Sequence, residues 1–337
     1  MQPLERSSML RAGVHHTYRQ HGPFSYHVVT VDLRIAGLEV VATDEQQVLP
    51  RPNTGHRWMR TSTWARQTHS DIAINANYYD LTKYSSACGL TVSNGQRWRS
   101  TYDDRRLSCH HSIGFGAAGR AQVFVSRGLR RSGDLASWMS VVVSGSPGLL
   151  RDGQVVVNGH PRHGRFRNPR TAIGLSKDQH TLFLLVVEGR EGRSQGMTAG
   201  ETARTLLEFG AWDALNLDGG GSSALYIEQE GGVVNRTGEP ERPVVNHLGF
   251  RFTKVEPELV VYGPPAPPRA HAVGRAVPGA TSAVAPRATA DSSAEGSARR
   301  RMLNGSGWTS TLFALGSAVV LRRKRKRSRT RKSKTLG

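Results

Sequence analysis

The chain has 337 residues, room for one large domain or two ordinary ones plus tails, and 37% of them are hydrophobic. The formal charge of +20 would suit a nucleic-acid partner, but 13 of the 46 Lys and Arg crowd into residues 299–337, which contain no acid. No basic stripe is evident on a folded face, and no helix-turn-helix, zinc-finger or RNA-recognition signature appears, so no nucleic-acid partner is expected.

The start, MQPLERSSMLRAGVHHTYRQ, lacks the apolar stretch of a signal peptide. Residues 1–11 read as an extension and residues 12–255 as one globular domain. SYHVVTVDLRIAGLEVVAT, residues 25–43, alternates apolar and polar positions around Gly37 and predicts a β-hairpin or a neighbouring strand pair. DIAINANYYD, residues 71–80, suits a buried strand that delivers Asn75, Asn77 and Asp80 at its end. Cys88 and Cys109 permit one disulfide in an exported protein and read equally well as two unlinked small residues. His110 and His111 follow Cys109 directly and His69 lies upstream, but their spacing fits no familiar zinc pattern.

SVVVSGSPGLLRDGQVVV, residues 140–157, holds two strands joined by a Gly/Ser/Pro turn, with Asp152-Gly153 as the next turn. HTLFLLVVEGR, residues 180–190, is a strongly buried strand followed at once by Glu188, Gly189 and Arg190. The clearest helix begins at Thr198, where Glu201 three residues on completes a capping box, and it stops at Gly210. Ala203, Leu206 and Leu207 form its expected buried stripe. AWDALNL, residues 211–217, then enters the sheet as another strand. Strands outnumber helices and several connections are too short for helical crossovers, which predicts an α+β fold, a mixed β-sheet with flanking helices.

Residues 256–301 are rich in Pro, Ala and Ser and read as a disordered spacer. Residues 302–321 carry no charge and match the length of a bilayer span, although their first third is polar. With the basic tail at 322–337 they resemble the C-terminal sorting anchors of exported bacterial surface proteins. The expectation is a membrane contact through this segment, a cytoplasmic tail and a domain at the cell surface. Without a signal peptide at this start, that expectation requires a true start upstream of Met1; the alternative is a domain that is not exported and stays in the cytoplasm.

Four segments place small or polar residues directly after apolar strands: Asn75 to Asp80, Ser144 to Gly148, Glu188 to Arg190 and Asp218 to Ser223. NPRTAIG brings Arg170 to the start of a strand, and ERPVVNHLGF brings Arg242 and Asn246 before the last one. Singly, each has an ordinary explanation as a turn, a cap or a solvated side chain. Together they resemble the phosphodiester glycosidase family over about residues 12–254. The likeness rests on INANYYD, VSGSPGLLRDG, NPRTAIG, EGR, GMTAGETARTLLEFGAWDALNLDGGGSSAL and ERPVVNHLGF, in that order. The chain departs from the family at Glu188, where Asp is common, and at Ala76 and Asn77, where glycines often stand.

The resemblance implies hydrolysis of the bond between a sugar's anomeric carbon and a phosphodiester, with N-acetylglucosamine or a related sugar as the glycone. A site for that reaction must hold an anionic phosphate and stabilise positive charge on the sugar ring. Arg170 and Arg242 would grip phosphate oxygens. Gly219, Gly220 and Gly221 would let backbone N–H groups approach the substrate together with the Ser222 and Ser223 hydroxyls. Asp218 is the first choice for the carboxylate at the anomeric centre and Glu188 the second. Asn75 and Asp80 would bond the sugar, and Ser144, Arg190 and Asn246 would complete the cleft. No cofactor is required, although Asp218, Glu188 and Asp80 suit a divalent cation such as calcium equally well. The alternative is a glycan-binding or exopolysaccharide-assembly protein that uses the same cleft without turnover.

Overall fold

TLFLLVV, residues 181–187, is apolar at nearly every position because both faces of its strand are covered. Leu182, Leu184 and Val186 point into one core, and Phe183, Leu185 and Val187 into another on the opposite side. The computed structural model describes residues 4–49, 57–80, 86–103, 107–129, 135–157 and 162–253. These lie within one compact unit, Met1–Val261. The spacer, membrane segment and basic tail expected beyond residue 255 fall outside the described residues. Among the described residues, no helix is long and apolar enough to cross a membrane.

The strand Thr181–Val187 sits inside an eight-stranded sheet. Its order is Leu4–Arg11, Val14–His21, Phe24–Asp32, Thr181–Val187, Arg170–Leu175, Asp213–Asn216, Gly148–Arg151 and Gln154–Val155. Two five-stranded sheets face it. One contains Ala121–Val125, His111–Phe115 and Val141–Gly145, and the other Leu225–Ile227, Ile72–Asn75, His247–Phe252 and Leu38–Ala42. Val29 and Val31 of the large sheet, Ile113 and Val143 of one small sheet, and Ile74 and Phe250 of the other share one core. The opposite face of the large sheet is closed by the helix Ala199–Glu208, which packs Ala199, Ala203 and Leu206 against Val28, Leu185 and Val187. Each buried Leu or Val here contributes roughly 1.5–3 kcal/mol.

The capping box forms as read, with Glu201 N donating to Thr198 Oγ1 and Thr198 N to Glu201 Oε2. The buried stripe runs through Ala199, Thr202, Ala203 and Leu206, which leaves Leu207 at its edge and 39% exposed. Asp152 and Gly153 both take positive φ, 51° and 70°, the geometry of a two-residue hairpin turn between Gly148–Arg151 and Gln154–Val155.

Three expectations change. The runs at 25–43 do not pair: Phe24–Asp32 stays in the large sheet, while Leu38–Ala42 crosses to pair with His247–Phe252. Alternation reports which face of a strand is buried, not its neighbour, and five connecting residues easily span the ~10 Å between packed sheets. The sheets are also not mixed. Every pairing in the three larger sheets is antiparallel, and Ala87–Cys88 with Thr101–Tyr102 is the one parallel pair among the described residues. Finally, residues 4–11 form the edge strand of the large sheet. Most of that strand is exposed, so it carries no apolar alternation to read. Cys88 and Cys109, left open by the sequence, form a disulfide with Cα atoms 5.9 Å apart.

Candidate active site

The loop Asp218–Ser223 leaves the large sheet after Asp213–Asn216 and enters a small one at Leu225–Ile227. Two buried asparagines clamp it. Asn75 Nδ2 donates to the Asp218 carbonyl (2.8 Å), and Asn75 Oδ1 accepts from Ala224 N (3.1 Å) and Thr171 Oγ1 (2.7 Å). Asn235 Oδ1 accepts from Leu225 N (2.7 Å), and its Nδ2 donates to the Ser223 carbonyl (3.0 Å). Asp218 N donates to the Ala76 carbonyl, which ties the loop to the end of Ile72–Asn75.

The three glycines are needed because the protein itself closes on them. A Cβ at Gly219 would lie 2.9 Å from the Pro169 carbonyl oxygen, and Gly220 N donates to that same oxygen. Gly220 has φ +61°, and its Cβ would meet an Arg190 guanidinium nitrogen at 3.0 Å. At Gly221 a Cβ would come 2.5 Å from a Glu239 carboxylate oxygen. Arg190 and Glu239 form a half-exposed ion pair (2.8 Å) against the loop. The expectation that the glycines clear space for substrate is thereby sharpened: Pro169, Arg190 and Glu239 approach this backbone.

Asp218 keeps partial exposure, while its carboxylate is closely surrounded by protein. Burial raises its pKa to about 6, against the opposing pull of the Ser222 hydroxyl, the Arg242 charge and the Gly219 N–H. Gly219 N donates to Asp218 Oδ1 at 2.9 Å. Ser222, 2% exposed, donates to Asp218 and accepts from Arg242 Nη2 (2.7 Å) and Nε (3.2 Å). The Tyr79 hydroxyl meets the same serine; burial and the Asp218 charge raise its pKa, and Trp58 stands edge-on to its ring at 5.0 Å. Tyr78 donates to the Ser146 carbonyl (3.0 Å) and accepts from Asn216 Nδ2 (2.8 Å). Burial, then the Asp218 charge, raises the Tyr78 pKa, and Arg170 opposes them. A carboxylate poised near neutrality, with a guanidinium reaching its serine partner and two phenols beside it, suits acid–base work on an anionic substrate.

The other expected residues are distributed differently. Arg170 is 3% exposed, with Nε on the Met197 carbonyl (2.9 Å) and Nη2 on that of Phe166 (2.8 Å), so it is a buried cation near Tyr78. Asn75 is fully buried and spends its side chain on the loop clamp. Ser144 and Asn246 join Asn77 in a buried network: Asn246 Nδ2 donates to Asn77 Oδ1, which also accepts from Ser144 N. The Ser223 hydroxyl is buried and has no hydrogen-bond partner among the described residues. Asp80 is partly exposed and directly precedes residues 81–85, which lie outside the described residues.

Glu188 makes its contacts elsewhere. Its carboxylate faces His27 (3.4 Å) and lines a groove with His16 and Glu230. Among the described residues, no group of three or more His, Cys, Asp or Glu side chains is arranged to hold a metal ion. Cys109 is in the disulfide, and His110 instead faces Asp103 at 3.6 Å. Tyr78, Tyr79, Asn235 and Glu239 were missed from the sequence. The tyrosines follow Asn77 directly in INANYYD, which was the available signal, while Asn235 and Glu239 sit in a polar loop with no pattern to mark them.

A profile of the phosphodiester glycosidase family matches residues 68–251, more than half of the chain. The SPbeta prophage-derived uncharacterized protein YomE of Bacillus subtilis (strain 168) is 29% identical over 207 residues, 56% of this chain and 29% of that protein. The chain thus spans less than a third of that relative's length. A hypothetical protein from Synechocystis superposes with a TM-score of 0.56 at 17% identity, over 74% of this chain and 64% of its own. The catalytic domain of zebrafish N-acetylglucosamine-1-phosphodiester alpha-N-acetylglucosaminidase, auto-inhibited by its pro-peptide, gives 0.51 at 20% identity over 74% and 81%. At these identities the two structures bear on the fold alone.

Proposed function

The chain belongs to the phosphodiester glycosidase family, and from that premise we propose that it hydrolyses the bond between a sugar's anomeric carbon and a phosphodiester. The products are free sugar and a phosphomonoester. The observation that carries this reading is Asp218: a carboxylate enclosed by protein on a partly exposed residue, with a pKa near 6, hydrogen-bonded to the serine that Arg242 holds. Asp218 acts at the anomeric centre, as base for water or as nucleophile. Glu188, the second choice of carboxylate, faces His27 and lines a groove with His16 and Glu230, so the step is assigned to Asp218.

Phosphate is a good leaving group, so the site needs little help from a strong general acid. Its larger tasks are to hold the phosphate and to stabilise the oxocarbenium-like sugar. Arg242 is exposed and donates to Ser222, which suits it to take a phosphate oxygen in a two-pronged contact. The Tyr79 hydroxyl, beside the same serine, supplies a further donor. Arg170, 3% exposed and bonded to the Met197 and Phe166 carbonyls, adds positive charge beneath the site. The glycone we infer is N-acetylglucosamine or a related sugar, as the name of the zebrafish enzyme indicates for that protein. The Cys88–Cys109 disulfide supports an oxidising compartment, which agrees with an exported domain.

The test is incubation of the full chain with UDP-N-acetylglucosamine and with the methyl phosphodiester of N-acetylglucosamine 1-phosphate. Release of free sugar from either, absent in Asp218→Ala, is expected. Binding of these compounds without turnover would favour the non-catalytic glycan-binding alternative.

A further inference from the structure

The large sheet keeps one face inward along its length, but the chemistry of that face changes. Under the small sheets it presents Val14, Val29, Val31, Leu184 and Val186 to the core. Further along the same strands, in the same two-residue alternation, come His16 and Tyr18 after Val14, His27 before Val29, and Glu188 after Val186. These four line an open groove of about 560 Å³, rimmed by Arg6, Arg193 and Arg236. Much of it is built from the strands Leu4–Arg11, Val14–His21 and Phe24–Asp32, which precede the segment that matches the family.

Four side chains on the floor form one hydrogen-bonded chain. Glu230 Oε1 lies 2.5 Å from His16 Nδ1, His16 Nε2 lies 3.0 Å from His27 Nδ1, and His27 Nε2 lies 3.4 Å from Glu188 Oε1. The two imidazoles stack at 5.2 Å, and His16, His27 and Glu188 are each 5% exposed. Three links need three protons. Two neutral imidazoles bring two, so one link must then face acceptor against acceptor. A third proton completes the chain as a single imidazolium between two carboxylates. Burial lowers the His16 pKa, with Glu230 opposing, so added negative charge nearby is what draws that third proton in.

The ionisable groups facing the pair are Arg6, Tyr18, Glu188, Arg193, Glu230 and Arg236. Among the described residues, the three guanidinium groups make no ion pair. We propose that this groove is a second binding site, for an oxyanion such as a phosphate or carboxylate group, and that binding takes up one proton onto the His16–His27 pair. The arginines supply forked contacts to the anion. The histidines do not touch it, because all four ring nitrogens are engaged in the chain. They act by neutralising one of the two carboxylates that would repel the ligand. Affinity is therefore highest at low pH and falls as pH rises through the value at which the occupied site releases its third proton. The proton comes from solvent and returns to it on release.

The test reads the side-chain ¹⁵N signals of the histidines by NMR in the full chain, titrated with sodium phosphate and sodium acetate against sodium chloride at matched ionic strength. Saturable shifts of His16 and His27 with phosphate or acetate, but not with chloride, are expected, and they should tighten as pH is lowered. The Arg193→Ala/Arg236→Ala pair, both at exposed positions, should weaken binding about tenfold or more. His27→Gln should abolish the pH dependence while sugar release at Asp218 is unchanged. Chloride matching the oxyanions, or no saturable shift with either probe, overturns the proposal. Sugar release is measured separately, so failure here and failure of the Asp218 reading are distinguishable.

Discussion

Replacing Asp218 with Asn should abolish activity and stabilise the protein at the same time. The buried carboxylate has a pKa near 6 in the fold against 3.8 unfolded, so the unfolded chain gives up its proton more readily. For a carboxylate raised in this way, the destabilisation is absent below about pH 3.8, grows as pH rises, and is fully present above about pH 6. A difference of about two pKa units corresponds to roughly 3 kcal/mol. The uncharged amide would escape this cost while still accepting the Gly219 N–H, so Asp218→Asn should gain about 2–3 kcal/mol at pH 7.5 and close to nothing at pH 3.5. For a domain of this size that is about 5–10 °C in Tm. The assay is denaturant unfolding of both proteins at the two pH values, with sugar release measured in parallel. Equal gains at both pH values, or a loss at pH 7.5, would refute the claim that burial strains this carboxylate.

Three further outcomes follow from the same geometry. Asn75→Ala should cost about 3 kcal/mol, because it strands the Asp218 carbonyl, the Ala224 N–H and the Thr171 hydroxyl; urea unfolding checks this, and a change confined to KM would contradict it. Gly221→Ala should lower activity by pushing Glu239 off Arg190, and the added substitution Glu239→Ala should recover part of that loss; a double-mutant cycle with no coupling would sink this account. Burial depresses the His247 pKa to about 3, so the native state gains stability as pH rises and loses it as pH falls below 6.5. At pH 4.5 that loss is about 2.7 kcal/mol, and His247→Asn should remove it from the pH profile of unfolding.

The strands and the capped helix were readable because their patterns are local. TLFLLVV is apolar on both faces, and Thr198 with Glu201 makes a reciprocal cap within four residues. Neighbour relations were not readable. Residues 25–43 look like a hairpin, yet their two runs enter different sheets, because the pattern is satisfied by any partner that covers the same face. At the site, the sequence marked Asp218, Ser222 and Arg242, which meet. It could not show that Asn75, Ser144, Arg170 and Asn246 are buried supports, since a polar residue at a strand end reads the same in either role. Glu188 shows the limit most plainly. Its place after a buried strand made it the second choice of carboxylate, and nothing in that local pattern could show that its side chain meets His27.

The most direct test of the central claim is to run the reaction in ¹⁸O-labelled water and ask which product carries the label. Attack at the anomeric carbon predicts unlabelled phosphomonoester and labelled free sugar, with turnover lost in Asp218→Asn. Label in the phosphomonoester would mean that the P–O bond breaks, and it would contradict the assignment of Asp218 to the sugar.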